Sequence, residues 1–160
     1  MAFDAFLKLD QVKGESPEKG YQDQIKLQHY SWGLRQPAGG VGHNPSGRAE
    51  FDSLTFTKPL DVASPDLAFH CASGTTLKTA LLTVCSATGD RQPLFEVSME
   101  SCWIGNVVQG ASPGDQIPVE QIQLHFGKIK WTYHKRNKDN KAEGKLAQGW
   151  NLIEHCAWNG

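Results

Sequence analysis

Residues 121–134 restrict the possible folds more than any other stretch. Ile122, Leu124 and Phe126 are apolar at even positions, whereas Ile129, Trp131 and Tyr133 are apolar at odd ones. Successive side chains of a strand point to opposite faces, so an unbroken strand would turn one trio into water. The change of parity predicts a bulge or bend at Gly127 and Lys128, letting one long strand serve two surfaces. Such strands occur where two packed sheets share a corner.

Period two governs much of the remaining chain. Phe3, Ala5, Leu7 and Leu9 define one face of a first strand, Ile25 and Leu27 begin a second that runs towards Trp32, and Leu54 and Phe56 mark a third. Residues 77–85 are rich in Leu, Thr and Val, and Phe95, Val97 and Met99 alternate with Glu96, Ser98 and Glu100. Turn residues at Lys13 and Gly14, Gly89 and Asp90, and Pro113 and Gly114 separate the runs. This is the pattern of a sandwich or barrel. One short helix is expected, with Ser64 as N-cap, Pro65 in the first turn, Asp66 near the positive end and Gly74 as the stop. At about ten residues it must pack on a sheet to persist.

The 160 residues fit one domain, 1–160, with an extended Gly-rich loop at about 36–50. No apolar run reaches the roughly 20 residues of a membrane span. The N-terminus lacks the cationic flank and cleavage box of a signal peptide. The net charge is −1, but residues 1–127 carry nine basic and fourteen acidic groups, whereas residues 128–160 carry seven and three. A basic C-terminal segment on an acidic body suits an anion or the acidic part of another copy.

The chemistry-bearing residue types form no set. The four cysteines, 71, 85, 102 and 156, include no Cys-x-x-Cys pair and read first as packed free thiols, with a disulfide or a metal or catalytic role as alternatives. Six scattered histidines make no metal-binding spacing, so neither a catalytic residue, a metal ligand nor a cofactor is assigned, and the chain is not read as an enzyme. Gly39, Gly40 and Gly42 lie in a run without the Lys-Ser/Thr ending of a phosphate loop; it reads as a mobile loop or as an arm ordered against a neighbouring copy. Trp131 and Tyr133 share one strand face and Lys130 and His134 the other, which argues against a nucleic-acid groove. Asn137 to Gly144 reads as a hairpin turn with exposed lysines.

Several stretches, in order along nearly the whole chain, carry a resemblance. They are Met1-Ala2-Phe3-Asp4 with Phe6, Leu7 and Lys8; Lys13-Gly14-Glu15-Ser16; Ser31-Trp32-Gly33 before the Gly-rich loop; Leu54 to Lys58 with Asp61, Ser64, Pro65 and Leu67; Leu124, Phe126, Lys128 and Ile129; and Gly149-Trp150. The chain resembles the haemolysin-coregulated protein (Hcp) family, the tube protein of bacterial type VI secretion. The resemblance implies a mainly β fold, two packed, largely antiparallel sheets forming a β-barrel with one short α-helix, similar to phage tail-tube proteins. It implies six copies in a ring, rings stacked into a tube, and ejection through the type VI system without a signal peptide after synthesis in the cytoplasm. Its partners would be further copies of itself, the sheath, the spike protein and small effectors in the lumen, with no nucleic acid and no membrane insertion. Gly39, Gly40, Val41, Gly42 and His43 would make the ring-to-ring contact, and Ser31 and Ser112 are placed towards the lumen. The alternative reading is a monomeric small barrel that binds a ligand.

Overall fold

A computed structural model of the chain describes residues 2–39, 45, 47–87 and 89–160. In chain order the elements are β1 (Phe3–Leu9), β2 (Ile25–Leu27), β3 (His29–Ser31), β4 (Leu34–Arg35), β5 (Glu50–Phe51), β6 (Leu54–Pro59), α1 (Ser64–Ser73), β7 (Leu77–Ser86), β8 (Pro93–Gly110), β9 (Val119–His125), β10 (Lys128–Arg136), β11 (Ala142–Asn151) and β12 (Cys156–Ala157). The fold is mainly β, and every strand pairing is antiparallel. One sheet runs β12-β11-β10-β8-β7-β1-β2, and a second is built from β3, β6, β9 and the far half of β8.

The pairings complete a circuit through two corners. From β1 they pass to β2, and after the single residue Gln28 the chain continues as β3, which pairs with β6. From β6 they pass to β9, then β8, β7 and back to β1. The Gln28 N–H donates to Thr57 O of β6 at 2.9 Å, tying the first corner to the second sheet. The expected second strand is therefore split between the two sheets. The interior is filled by Leu7, Ile25, Leu54, Phe56, Leu67, Leu77, Leu82, Met99, Ile122 and Leu124, each fully buried.

The second corner lies where the parity changes. β9 ends at His125 and β10 begins at Lys128, and the two pair with opposite halves of β8. The strand that crosses the corner uninterrupted is thus β8, at 18 residues. The register across it is the same on both sides, with Trp103 opposite His125 and Glu100 opposite Lys128. It shifts between Ile104 and Asn106, so the extra residue sits in β8. The Gly127 N–H is shared between Glu100 O and Ser101 O, and its carbonyl accepts the Leu152 N–H, so both backbone groups of Gly127 are paired at the bend. The left-handed conformation at this corner belongs to Ser101, φ 55°, across from Gly127. What Gly127 supplies is space: a Cβ there would lie 2.9 Å from Ile153 Cδ1 and 3.2 Å from Ser101 Cβ.

Two further expectations are corrected by side-chain contacts. Phe3 does not share the burial of Ala5, Leu7 and Leu9; it is 57% exposed, because β2 pairs only with Ala5–Leu7 and the second sheet leaves this end open. Phe6, on the opposite face, is fully buried beneath Tyr21, with ring centroids 4.4 Å apart and Cys85 alongside. Ser64 is not the N-cap either. Ala63 holds that position, and Ser64 is the first helical residue, its hydroxyl turned to a buried cation. Gly74 ends the helix in the left-handed region, φ 66°.

That cation is Lys58, fully buried on β6. Its Nζ lies 2.6 Å from Glu120 Oε2, 2.8 Å from Asp61 Oδ1 and 3.1 Å from both Ser64 Oγ and Pro59 O. Ser64 Oγ also donates to Glu120 Oε2 at 2.9 Å, and Gln109 Nε2 donates to Glu120 Oε1 at 2.9 Å. The network joins β6, β8, β9 and the start of α1. Burial works to raise the Glu120 pKa, but hydrogen bonds from Lys58, Gln109 and Ser64 outweigh it and hold the carboxyl below its ordinary value of 4.5.

Two predictions test these arrangements. Gly127→Val should cost about 1–3 kcal/mol through crowding, whereas Ser101→Gly should gain about 1 kcal/mol by relieving the left-handed strain. Urea unfolding measures both, and a stable Gly127→Val chain would contradict the account of the corner. Lys58→Met should cost on the order of 3–5 kcal/mol, because it strands two buried carboxylates. The Glu120 contribution is fully present above pH 4.5 and is lost as the pH falls through its lower folded value. Glu120→Gln should therefore flatten the acid limb of a pH–stability curve; an unchanged limb would exclude this group as its source.

Candidate functional site

Among the described residues no three His, Cys, Asp or Glu groups lie together as metal ligands. All four cysteines are free. Cys102 is buried, and burial pushes its thiol up to about 12, away from nucleophile chemistry. Cys85 is also buried, Cys71 is half-buried within α1, and Cys156 is exposed, so the packed-thiol reading fails for the last. His70 is held by Asp66 O at 2.7 Å on its own helix, and His125 stacks on Trp103 with centroids 5.1 Å apart.

The surface is more informative. Beyond β8 the first sheet continues as an arm made of β10 and β11, with no third strand along residues 142–149 among the described residues, because β12 pairs only with Trp150 and Asn151. The turn is built as the sequence suggested: the Asn137 Oδ1 accepts the N–H groups of Asp139 and Lys141, both at 2.9 Å. A row of directly opposed residues crosses the sheet from Ala5 to Val84, Phe95, Tyr133 and Leu146. Ala5 and Val84 are buried and Phe95 is half-buried, but Tyr133 is 51% and Leu146 68% exposed. The core face thus runs out of cover on the arm.

Nearer the body the same face is capped by aromatics. Trp131 stacks with Trp32 at 5.8 Å and with Phe51 at 6.5 Å between centroids. Trp32 lies just before β4 and Phe51 ends β5, and the pairing of Leu34 with Phe51 and Arg35 with Glu50 forms the foot of the Gly-rich loop. Arg35 reaches Glu50 at 2.7 Å and Asp52 at 3.3 Å, and those carboxylates raise its pKa further. A cleft of about 470 Å³ beside β1 and β3 is lined by Phe3, Ala5, Tyr30, Ser31 and Trp32, among others.

The residues singled out from sequence fall in separate places. Of the ring-contact loop, Gly39 is half-buried, while Gly40, Val41, Gly42 and His43 lie outside the described residues. Ser31 is exposed at the end of β3 on the row through Thr55 and Gln123. Ser112 is exposed beyond the Gly110, Val119, Pro59 end of the second sheet, and its N–H donates to Asp115 Oδ2 at 2.7 Å, so the structure does not bring the two serines together. Gly127 and Lys128 sit at the second corner, with the Lys128 Nζ 5.8 Å from the centre of the Trp158 ring. Leu146 escaped sequence reasoning because its strand is exposed on both faces along residues 142–148 and shows no alternation.

Comparison with known proteins points one way. Residues 6–133 match the family described as "Type VI secretion system effector, Hcp". The chain is 32% identical over 159 residues to "Protein hcp1" of Pseudomonas aeruginosa, covering 97% of this chain and 98% of that protein. Its fold is similar to a solved "type six secretion system protein", with a TM-score of 0.91 at 29% identity over 98% of this chain and 100% of the other. It also matches the fold of Hcp1 from Salmonella typhimurium, with a TM-score of 0.83 at 23% identity over 99% and 100% of the two chains. A mainly β chain of two antiparallel sheets and one short helix, matched almost end to end in sequence and in fold, belongs to the Hcp family of type VI secretion proteins.

Proposed function

We propose that this chain is the tube subunit of a type VI secretion system, a single tube domain of which six copies close into a ring and rings stack into a tube. The observation that carries the reading is the near-complete match, at both ends of both chains, to the Pseudomonas aeruginosa protein. The structure adds physical support. A wall subunit needs a filled core and unlike surfaces for its neighbours, and here the interior is filled and the exposed arm differs from the aromatic-lined cleft. A barrel enclosing a small ligand is disfavoured, because the interior is occupied by its own side chains. The subunit is made in the cytoplasm and leaves the cell with the tube. The sheath, the spike and small effectors are its further partners, and no catalytic step is assigned to it.

Size-exclusion chromatography with light scattering at micromolar concentration should give a mass near six times 17.6 kDa. A clean monomer at high concentration and moderate salt would overturn the reading. A reducing agent should leave the ring intact, since no disulfide joins the cysteines. Replacing residues 37–48 by a two-residue linker should spare the ring but abolish tube formation and secretion in cells. Normal tubes from the shortened chain would reduce that loop to a connector.

A further inference from the structure

The excess of basic groups in residues 128–160 is not absorbed by the tube reading, and the following inference stands apart from it. We propose that a cavity of about 340 Å³ beside the β10–β11 arm binds the phosphate group of a small solute through Arg136 and Lys145.

The pairing of the arm sets the basic groups around an open space. His134 and Lys145 are directly opposed, and Arg136 lies two residues beyond His134, so the three stand on one face. The space between them has a structural cause. The pairing skips Glu143, which puts Gly144 opposite Lys135 and Ala142 opposite Arg136. Neither carries a side chain large enough to fill the face, and a Cβ on Gly144 would meet nothing within 4 Å. Pro93, the first residue of β8, and Gln92 before it complete the lining.

Charge in the cavity is oriented but not balanced. Arg136 Nη2 donates to Pro93 O at 3.1 Å and Nη1 to Asn140 O at 3.2 Å, which fixes the guanidinium between two segments. Both acceptors are neutral carbonyls. A guanidinium has more N–H groups than these two bonds use, and the buried Nε has no partner among the described residues. Neither Arg136 nor Lys145 makes an ion pair among the described residues. Neighbouring carboxylates are engaged elsewhere. Glu96 lies 3.1 Å from His134 Nε2, Glu143 lies 4.0 Å from Lys135 Nζ, and Asp90 accepts from Gln92 Nε2 at 2.8 Å. Like charges held side by side destabilise each other unless an anion lies between them.

A phosphate group answers this arrangement better than a carboxylate. It carries a charge of about −1.5 to −2 at neutral pH and three acceptor oxygens. That suffices for both cations and for the N–H groups Arg136 has to spare. The planar fork of an arginine and the point charge of a lysine both suit phosphate oxygens. Lys145 is exposed, so salt screens its attraction and the affinity is modest.

The test is equilibrium dialysis of the full-length chain against radiolabelled orthophosphate, with ionic strength held constant by sodium chloride. Uptake should saturate as a single class of sites. Lys145→Gln should weaken it by at least about fivefold and leave the thermal midpoint unchanged, because the side chain is exposed. Lys141→Gln, an equal loss of charge in the turn but outside the cavity, should leave uptake as in the parent. Uptake that does not saturate overturns the site, and so does an equal loss from both substitutions, which would mark diffuse attraction to the arm. Unlabelled glycerol phosphate and orthophosphate distinguish the source. Stronger displacement by glycerol phosphate assigns the site to phosphorylated solutes, and displacement no stronger assigns it to free phosphate. The oligomeric state of the same samples, read by light scattering, separates failure of this site from failure of the tube reading.

Discussion

Pro93–Gly110 is a single strand that belongs to two sheets, and most of the architecture follows from that sharing. Its first half is held between β7 and β10, and its second half carries β9. A strand with native twist cannot make such a turn without a local concession. The concession is distributed: a left-handed Ser101, a shifted register at Ile104 to Asn106, and a glycine opposite, packed under Ile153 and Ser101. Because the register is the same immediately on either side of the bend, at Glu100 with Lys128 and at Trp103 with His125, β9 and β10 remain in step there, and Ile122, Leu124, Phe126 and Ile129 are buried in one core.

The second sheet and the helix are tied down by charge. Lys58 is surrounded by oxygen atoms from four segments, and each of its partners is itself hydrogen-bonded. A buried cation without such a shell would be prohibitive. The network selects geometry more than it adds free energy, since only one placement of the α1 start satisfies every group. Placing the helix there also caps the barrel end with Ala63 and Leu67, both fully buried.

Local alternation made the core strands legible. Leu7, Leu54, Phe56 and Val97 could be placed from spacing, whereas the one long strand expected across residues 121–134 is two, β9 and β10, and the strand that crosses the corner is β8. What sequence could not show depends on partners far away in the chain. Ser64 looks like an N-cap until Glu120, 56 positions later, claims its hydroxyl. Phe6 sits on the wrong parity for the main core and is buried only because Tyr21 folds over it. Gln28 interrupts nothing in the pattern, yet the chain changes sheets there. The arm was the least visible part, because Tyr133 continues the apolar alternation of Ile129 and Trp131 yet is 51% exposed.

The composition of the arm bears on how a subunit survives before it finds neighbours. An unpaired strand edge invites any extended polypeptide to add to it, and the outcome is fibrous aggregation. Here the edge is neither flat nor neutral. The pairing slips between Lys135 and Arg136, Gly144 adopts φ 136°, and lysines stand at 138, 141 and 145 in the turn and the strand that follows. A stray uncharged strand meets a kinked, positively charged margin and gains little from it. Kink and charge together therefore work against uncontrolled pairing at this edge.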